Sequence, residues 1–402
     1  MRRCVTRPLR RDRLIGPEAT ELLSAKRRRR SLKPRVAIIG GGITGAFAAF
    51  FLARLGAEAT IIERASIGAG ASGNNAGGLN PLQGPGIPGP MQALALESLR
   101  LHLDNWNCIQ RLSGIDFEGR FVRRLTVAMD EGEARLIAGR EELYNATAGF
   151  SARWLSAREL RRYEGRLARQ AVGGLLTEGN ARVDPSAYTT AVATAAVRLG
   201  ARTVTGEALG LRHCEARVEG VRLDHEEVPC DAVVLASGPW SKAPARWLGV
   251  ELPVEPVKGE LLLAELQTAA PAAEITWRQF GVYFARGERV WLGGTDERAG
   301  FDRTPSDLGR QRIIAGISRL LPDLASPKII RHLVGLRPVT PDGLPIIGMP
   351  RAWKNVCVAL GGGRKGLLVS AGLGLACAEI LTGGETRIDI AGCQLERAGL
   401  SS

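Results

Sequence analysis

The sequence predicts an α/β protein of two domains, on three observations. Residues 35–63 read as strand, glycine-rich turn, helix and second strand, in that order. Residues 252–300 read as a run of short strands. At 402 residues the chain is long enough to fill more than one core.

Each part of the first unit has a physical reason. Val36 to Ile39 is a short, wholly apolar run, as in a strand buried on both faces. Gly40, Gly42 and Gly45 follow at G-x-G-x-x-G spacing. Gly40 permits a tight turn, Gly42 lets a pyrophosphate approach the backbone, and Gly45 lets a helix pack close to the sheet. Phe47, Phe50, Phe51 and Leu55 recur at helical spacing, and Gly56 suits the C-cap. The first N–H groups of that helix, Ile43 and Thr44 among them, have no partner inside it and can receive phosphates. Ala59 to Ile62 is the second strand, ending in Glu63, a carboxylate placed for ribose hydroxyls. A lone G-x-G-x-x-G says little, because glycine-rich turns occur in other α/β proteins. Here strand, helix, strand and acid stand in the order that dinucleotide binding requires.

Composition removes several classes. The seven cysteines are scattered without a C-x-x-C pair, which argues against a zinc site or disulfide framework and fits a reducing compartment. The four histidines are isolated and suggest no metal. The net charge of +13 is concentrated at one end: residues 1–35 hold thirteen Lys/Arg against three acids, a net +10. The remaining +3 announces no nucleic-acid-binding body and no DNA partner.

Residues 1–34 lack apolar periodicity. Arg2-Arg3 is not followed by the apolar stretch an export signal needs. The segment reads as a disordered basic arm or an upstream start. A sharper reading is an arm that touches anionic lipid or RNA. The expected location is cytoplasmic, with attachment at the inner face of the membrane as the variant.

After Glu63 and Arg64 the chain runs through Gly68-Ala-Gly-Ala-Ser-Gly-Asn-Asn-Ala-Gly-Gly78, an extended backbone with little side-chain bulk. Following the G-x-G-x-x-G unit, this resembles the FAD-dependent D-amino acid oxidase superfamily, in its glycine oxidase and bacterial D-amino acid dehydrogenase branch. In chain order, Asp231-Ala-Val-Val-Leu-Ala-Ser-Gly-Pro-Trp-Ser241 resembles the second flavin motif, and Pro253-Val-Glu-Pro-Val-Lys-Gly-Glu260 a Pro-Val-x-Gly-Gln run. Gly335-Leu-Arg-Pro-Val-Thr-Pro-Asp-Gly-Leu-Pro-Ile-Ile-Gly348 matches the glycine oxidase run almost residue for residue.

The resemblance implies FAD along Gly40, Gly42, Ile43, Thr44, Gly45, Glu63 and Arg64. It continues along Ala71, Ser72, Asn75 and Gly77, then Ser237 and Gly238, and finally Gly363, Lys365, Gly366 and Leu367. It implies Arg337 as the anchor of a substrate carboxylate, Tyr283 and Arg364 beside it, and no side-chain base. Hydride would pass from the substrate α-carbon to flavin N5, and the imine would hydrolyse in water. Gly335 stands where a related oxidase has a flavin-bearing cysteine, so the FAD is expected to be non-covalent. Gly362 and Lys365 depart from the family's His and Asn.

The implied domains are a discontinuous FAD-binding domain (35–114, 180–250 and 334–395) and an inserted, mainly antiparallel substrate domain (115–179 and 251–333). Substrates would be glycine, sarcosine, proline or a D-amino acid, and the electron acceptor oxygen, a quinone or a partner subunit. A homo-oligomer is compatible with this. One alternative is an FAD module acting on the carboxymethylaminomethyl-uridine of tRNA, with the basic arm serving RNA. A second is a flavoprotein subunit of a heteromeric dehydrogenase.

Local signals complete the reading. Met91–Leu112 reads as a helix, 117–129 as strand, and 131–148 as one amphipathic helix. Ser156 opens a capping box with Glu159, and Asp184-Pro185 starts a helix to Leu199. Asn355–Leu360 is a buried strand, and Leu367–Leu381 an apolar helix better read as core than as a membrane span.

Overall fold

The computed structural model describes residues 33–397, so the expected basic arm lies almost wholly outside the described residues. Two sheets organise the rest. The first has six strands in the order Ile346–Gly348, Val356–Leu360, Ala232–Leu235, Arg35–Ile39, Glu58–Glu63, Arg202–Thr205. All neighbours are parallel except the first pair. Val36 to Ile39 is buried on both faces, as its composition requires. Its register sets Ile39 between Ile62 and Leu235, so three strands end together at the turn that follows.

One core cluster holds helix Ile43–Arg54 against helices Gln92–Ser113, Pro185–Arg198 and Gly366–Gly383. A second contains Ala37, Ile39, Val233 and Val358, together with Leu211, Val218 and Val221 from the antiparallel strands Ala208–Cys214 and Arg217–Leu223. Helix Gly366–Gly383 is apolar on all sides, and by length and composition alone it would suit a membrane. Here Leu368 to Ala378 are buried inside the protein, which accounts for the composition.

The second sheet has nine strands and is antiparallel apart from one pair, Glu274–Trp277 with Arg120–Ala128. Helix Asp307–Leu320 packs on it through Ile313, Ile317 and Leu320. The sequence reading left 301–334 unassigned, although Ser306 caps this helix by accepting from Gly309 N–H at 3.0 Å. The single helix expected over 131–148 is two, Glu131–Ala138 and Glu141–Ala146, separated at Gly139-Arg140. Two boundaries also move. Strand Gly173–Arg182 crosses residue 180, and Lys328–Val339 crosses 334. The latter pairs along its whole length with Glu255–Glu265, so Arg337 stands on the antiparallel sheet rather than on the nucleotide-binding one.

The helix layer contains a buried histidine that makes its stability pH-sensitive. His102 is fully buried; its Nε2 donates to the Leu368 carbonyl at 2.8 Å and its Nδ1 accepts from Tyr188 OH at 2.8 Å. The carbonyl can only accept, so Nε2 carries the proton, and burial pushes the ring's pKa down to about 4, which keeps it neutral at pH 7. The unfolded chain then binds a proton that the folded chain refuses. Stability from this group is complete above pH 6.5 and falls as pH drops to about 4, by about 3 kcal/mol. Thermal melts between pH 7 and 4 should show a steep acid limb that flattens in His102→Gln. An equal slope in the variant would assign the limb to other groups.

Candidate cofactor and substrate site

A cavity of about 630 Å³ is lined by both sheets. All the sequence-predicted cofactor residues border it except Gly45, which lies behind the turn. Gly40 has φ +116°, and a Cβ on Gly45 would sit 2.0 Å from the Gly40 carbonyl oxygen. Helix and strand therefore cross in contact, which aims the first turn of helix Ile43–Arg54 at the cavity.

The groups around that turn suit a dinucleotide. Ile43 N–H donates to Ser72 Oγ at 2.9 Å. A hydroxyl that accepts there keeps its own proton for another acceptor, such as a phosphate oxygen. The N–H groups of Thr44 and Gly45 have no partner within the helix. Glu63 accepts from Gly41 N–H at 2.8 Å and Ala65 N–H at 3.0 Å, leaving carboxylate lone pairs for ribose hydroxyls. Asn75 borders the cavity, but its amide serves its own loop. It donates to the carbonyls of Ala71 and Ser72, both at 2.9 Å, and accepts from Gly77 N–H at 2.8 Å. Its side chain therefore shapes the loop, and contact with a cofactor would fall to the backbone.

Lys365 follows the same logic. Its Nζ donates to the carbonyls of Asn80 at 2.6 Å and Leu82 at 2.9 Å. Loss of water, with the Arg124 guanidinium nearby, pulls its pKa down to about 7. The departure noted in the sequence thus puts a titratable cation at the N-cap of helix Gly366–Gly383.

The antiparallel sheet supplies the other half. Arg337 is on strand Lys328–Val339 and Tyr283 on Phe280–Phe284, with two strands between them. Both border the cavity, as does Arg364. Glycines make room for both side chains, Gly259 on the neighbouring strand and Gly281 on the strand of Tyr283 itself. A Cβ on Gly259 would lie 2.3 Å from Arg337 Nη1, and one on Gly281 2.5 Å from the Tyr283 hydroxyl. Glycine inside a strand often marks such a close approach, and this was the available signal for Gly259.

Arg337 Nη1 donates to the Thr295 carbonyl at 2.9 Å and to Asp296 Oδ1 at 2.5 Å. Arg364 pairs with the other oxygen of Asp296. Beside Tyr283 the Arg124 guanidinium lies 5.6 Å from the ring centroid and donates to Glu274 at 2.7 Å. Sequence reasoning gave no role to Thr295, Asp296 or Arg124: the first two stand in the run Trp291-Leu-Gly-Gly-Thr-Asp-Glu297, read only as part of the substrate-domain sheet, and their relation to Arg337 exists only once the strands pair. Thr340 and Asp342 order their turn instead: Thr340 Oγ1 donates to the Leu344 carbonyl at 2.7 Å, and Asp342 accepts from Leu344 N–H at 3.1 Å.

A turn suited to a dinucleotide and a sheet bearing arginines face one cavity, and the comparisons give the class of protein that has them. Residues 35–380 match the DAO family, described as FAD dependent oxidoreductase, and the chain belongs to that family. It is therefore an FAD-dependent oxidoreductase. Among its relatives, the glycine oxidase of Geobacillus kaustophilus is 30% identical, over 90% of this chain and 96% of the relative. The D-amino acid dehydrogenase of Methylobacterium nodulans is also 30% identical, over 90% of this chain and all of the relative. The crystal structure of the Geobacillus kaustophilus glycine oxidase superposes with a TM-score of 0.85 at 28% identity, covering 91% of this chain and 99% of that one.

Proposed function

We propose that this chain oxidises a small amine that carries a carboxylate, of the glycine, sarcosine, proline or D-amino acid class, with non-covalently held FAD. One observation carries the reading: Arg337 borders the same cavity as the nucleotide-binding turn, with Tyr283 on the same sheet. A guanidinium meets a carboxylate with two parallel charge-assisted bonds, so Arg337 fixes both the position and the orientation of such a substrate. Bound FAD would supply the two-electron chemistry, and the chain's residues supply binding and orientation. No carboxylate, histidine or cysteine is needed as a base if the amine enters deprotonated.

Two further facts support the reading. The relatives named glycine oxidase and D-amino acid dehydrogenase match over nearly their whole lengths. A Cβ on Gly335 would lie 2.6 Å from the Asn74 carbonyl oxygen, so a flavin-bearing cysteine has no room there.

The test is an absorption spectrum of the purified protein, then anaerobic mixing with glycine, sarcosine, proline and a panel of D-amino acids. A flavin spectrum bleached by one of them is the expected result. Readmitted air then separates an oxidase from a dehydrogenase. A flavin that none of these amines bleaches would overturn the substrate class.

A further inference from the structure

Asp296, an exposed residue beside the cavity, holds two arginines that line it. One of its oxygens bonds Arg337, which the proposed function assigns to a substrate carboxylate, and the other bonds Arg364, which the family resemblance sets beside that anchor. We infer that Asp296 is a built-in competitor for the carboxylate site, which a substrate must displace, so that the residue sets how strongly the enzyme selects anionic amines. The inference rests on the reading of Arg337 given above.

Three observations carry it. First, the two arginines converge on one cavity, and with nothing between them their like charges would repel; a carboxylate shared between them removes that cost. Second, one carboxylate bonded to two guanidinium groups leaves the cluster with a net charge of about +1, which repels a substrate ammonium, so Asp296 is poorly placed as an amine partner. Third, a displaced Asp296 has somewhere to go. It lies on the wall of a neighbouring cavity of about 400 Å³, lined by Arg312 and Arg319, which shares Gln279, Gly294 and Thr295 with the first. Neither Arg312 nor Arg319 has a carboxylate partner among the described residues. A substrate carboxylate on Arg337 and Arg364 would then move Asp296 towards those two arginines, an exchange of ion pairs with little change in total charge pairing.

The size of the effect follows from competition. If Asp296 holds the arginines nine-tenths of the time, apparent affinity for a carboxylate is lowered about tenfold. The probe is sodium acetate, which has the carboxylate and no oxidisable amine. Titrating the FAD-loaded enzyme with acetate and following the flavin absorption gives its affinity. Asp296→Asn and Asp296→Ala should bind acetate about tenfold more tightly than the unmodified enzyme, with flavin content and melting temperature recorded for each. Equal or weaker affinity in both variants would overturn the inference and leave the substrate reading standing. If acetate perturbs the flavin in none of the three proteins, the carboxylate site itself is misassigned and both readings fall.

A second measurement covers the case in which the Asp296 variants lose their flavin. In Arg312→Gln with Arg319→Gln, both on exposed positions of helix Asp307–Leu320, a displaced Asp296 loses its alternative partners. Acetate should then bind severalfold more weakly. Unchanged affinity in that variant would overturn the exchange.

Discussion

Arg337→Ala is expected to lower kcat/KM for carboxylate-bearing amines by about a hundred- to a thousandfold, or roughly 3–4 kcal/mol. The substitution removes the planar fork and leaves a desolvated substrate carboxylate with Arg364 alone, a side chain that is 55% exposed. The loss should fall mainly on KM, with a smaller part on kcat, because a loosely held substrate presents its α-carbon poorly. Arg337→Lys keeps the charge without the fork and should lie between. Steady-state kinetics on the best amine, with one amine lacking a carboxylate as control, would decide it. Turnover as fast as the unmodified enzyme would remove Arg337 from the site. An equal loss on the control amine would make its role structural.

Gly45→Ala should damage the fold before it damages chemistry. The added methyl would lie 2.0 Å from the Gly40 carbonyl oxygen, a backbone atom that cannot rotate away. Helix Ile43–Arg54 must then separate from strand Arg35–Ile39, at a cost of about 3 kcal/mol or more. Gly42→Ala meets only the Ser72 hydroxyl, at 3.0 Å, and can be accommodated by a small side-chain movement. It should leave the melting temperature near that of the unmodified protein while weakening FAD, because its methyl intrudes on the cavity wall. Melting curves and bound-flavin ratios for the two variants separate these effects. Normal melting of Gly45→Ala would show that the crossing is looser than the geometry states.

Much of the nucleotide-binding half was legible in the sequence. The G-x-G-x-x-G spacing, the strands on either side and the acid at Glu63 all act within a stretch of 29 residues, and backbone geometry alone brings them to one turn. The same holds for the capping box at Ser156 and the Asp184 cap, which are formed three residues apart and appear as read. Arg337 was singled out because its surrounding run resembles a family run.

Asp296 and Arg124 carry no comparable signal, and Gly259 shows only as a glycine inside a strand. Asp296 meets Arg337 across 41 residues, and Arg124 meets Glu274 across 150. Gly259 clears space for a side chain on a neighbouring strand. Tertiary structure also turned Asn75 onto its own loop and placed Lys365 against two carbonyls. Spacing along the chain therefore determined the turn, the helix it begins and the carboxylate that follows. Sheet pairing decided which charged groups come together around Arg337. The physical reason is that backbone conformation is set by nearest neighbours, whereas charge pairing is set by distance in space.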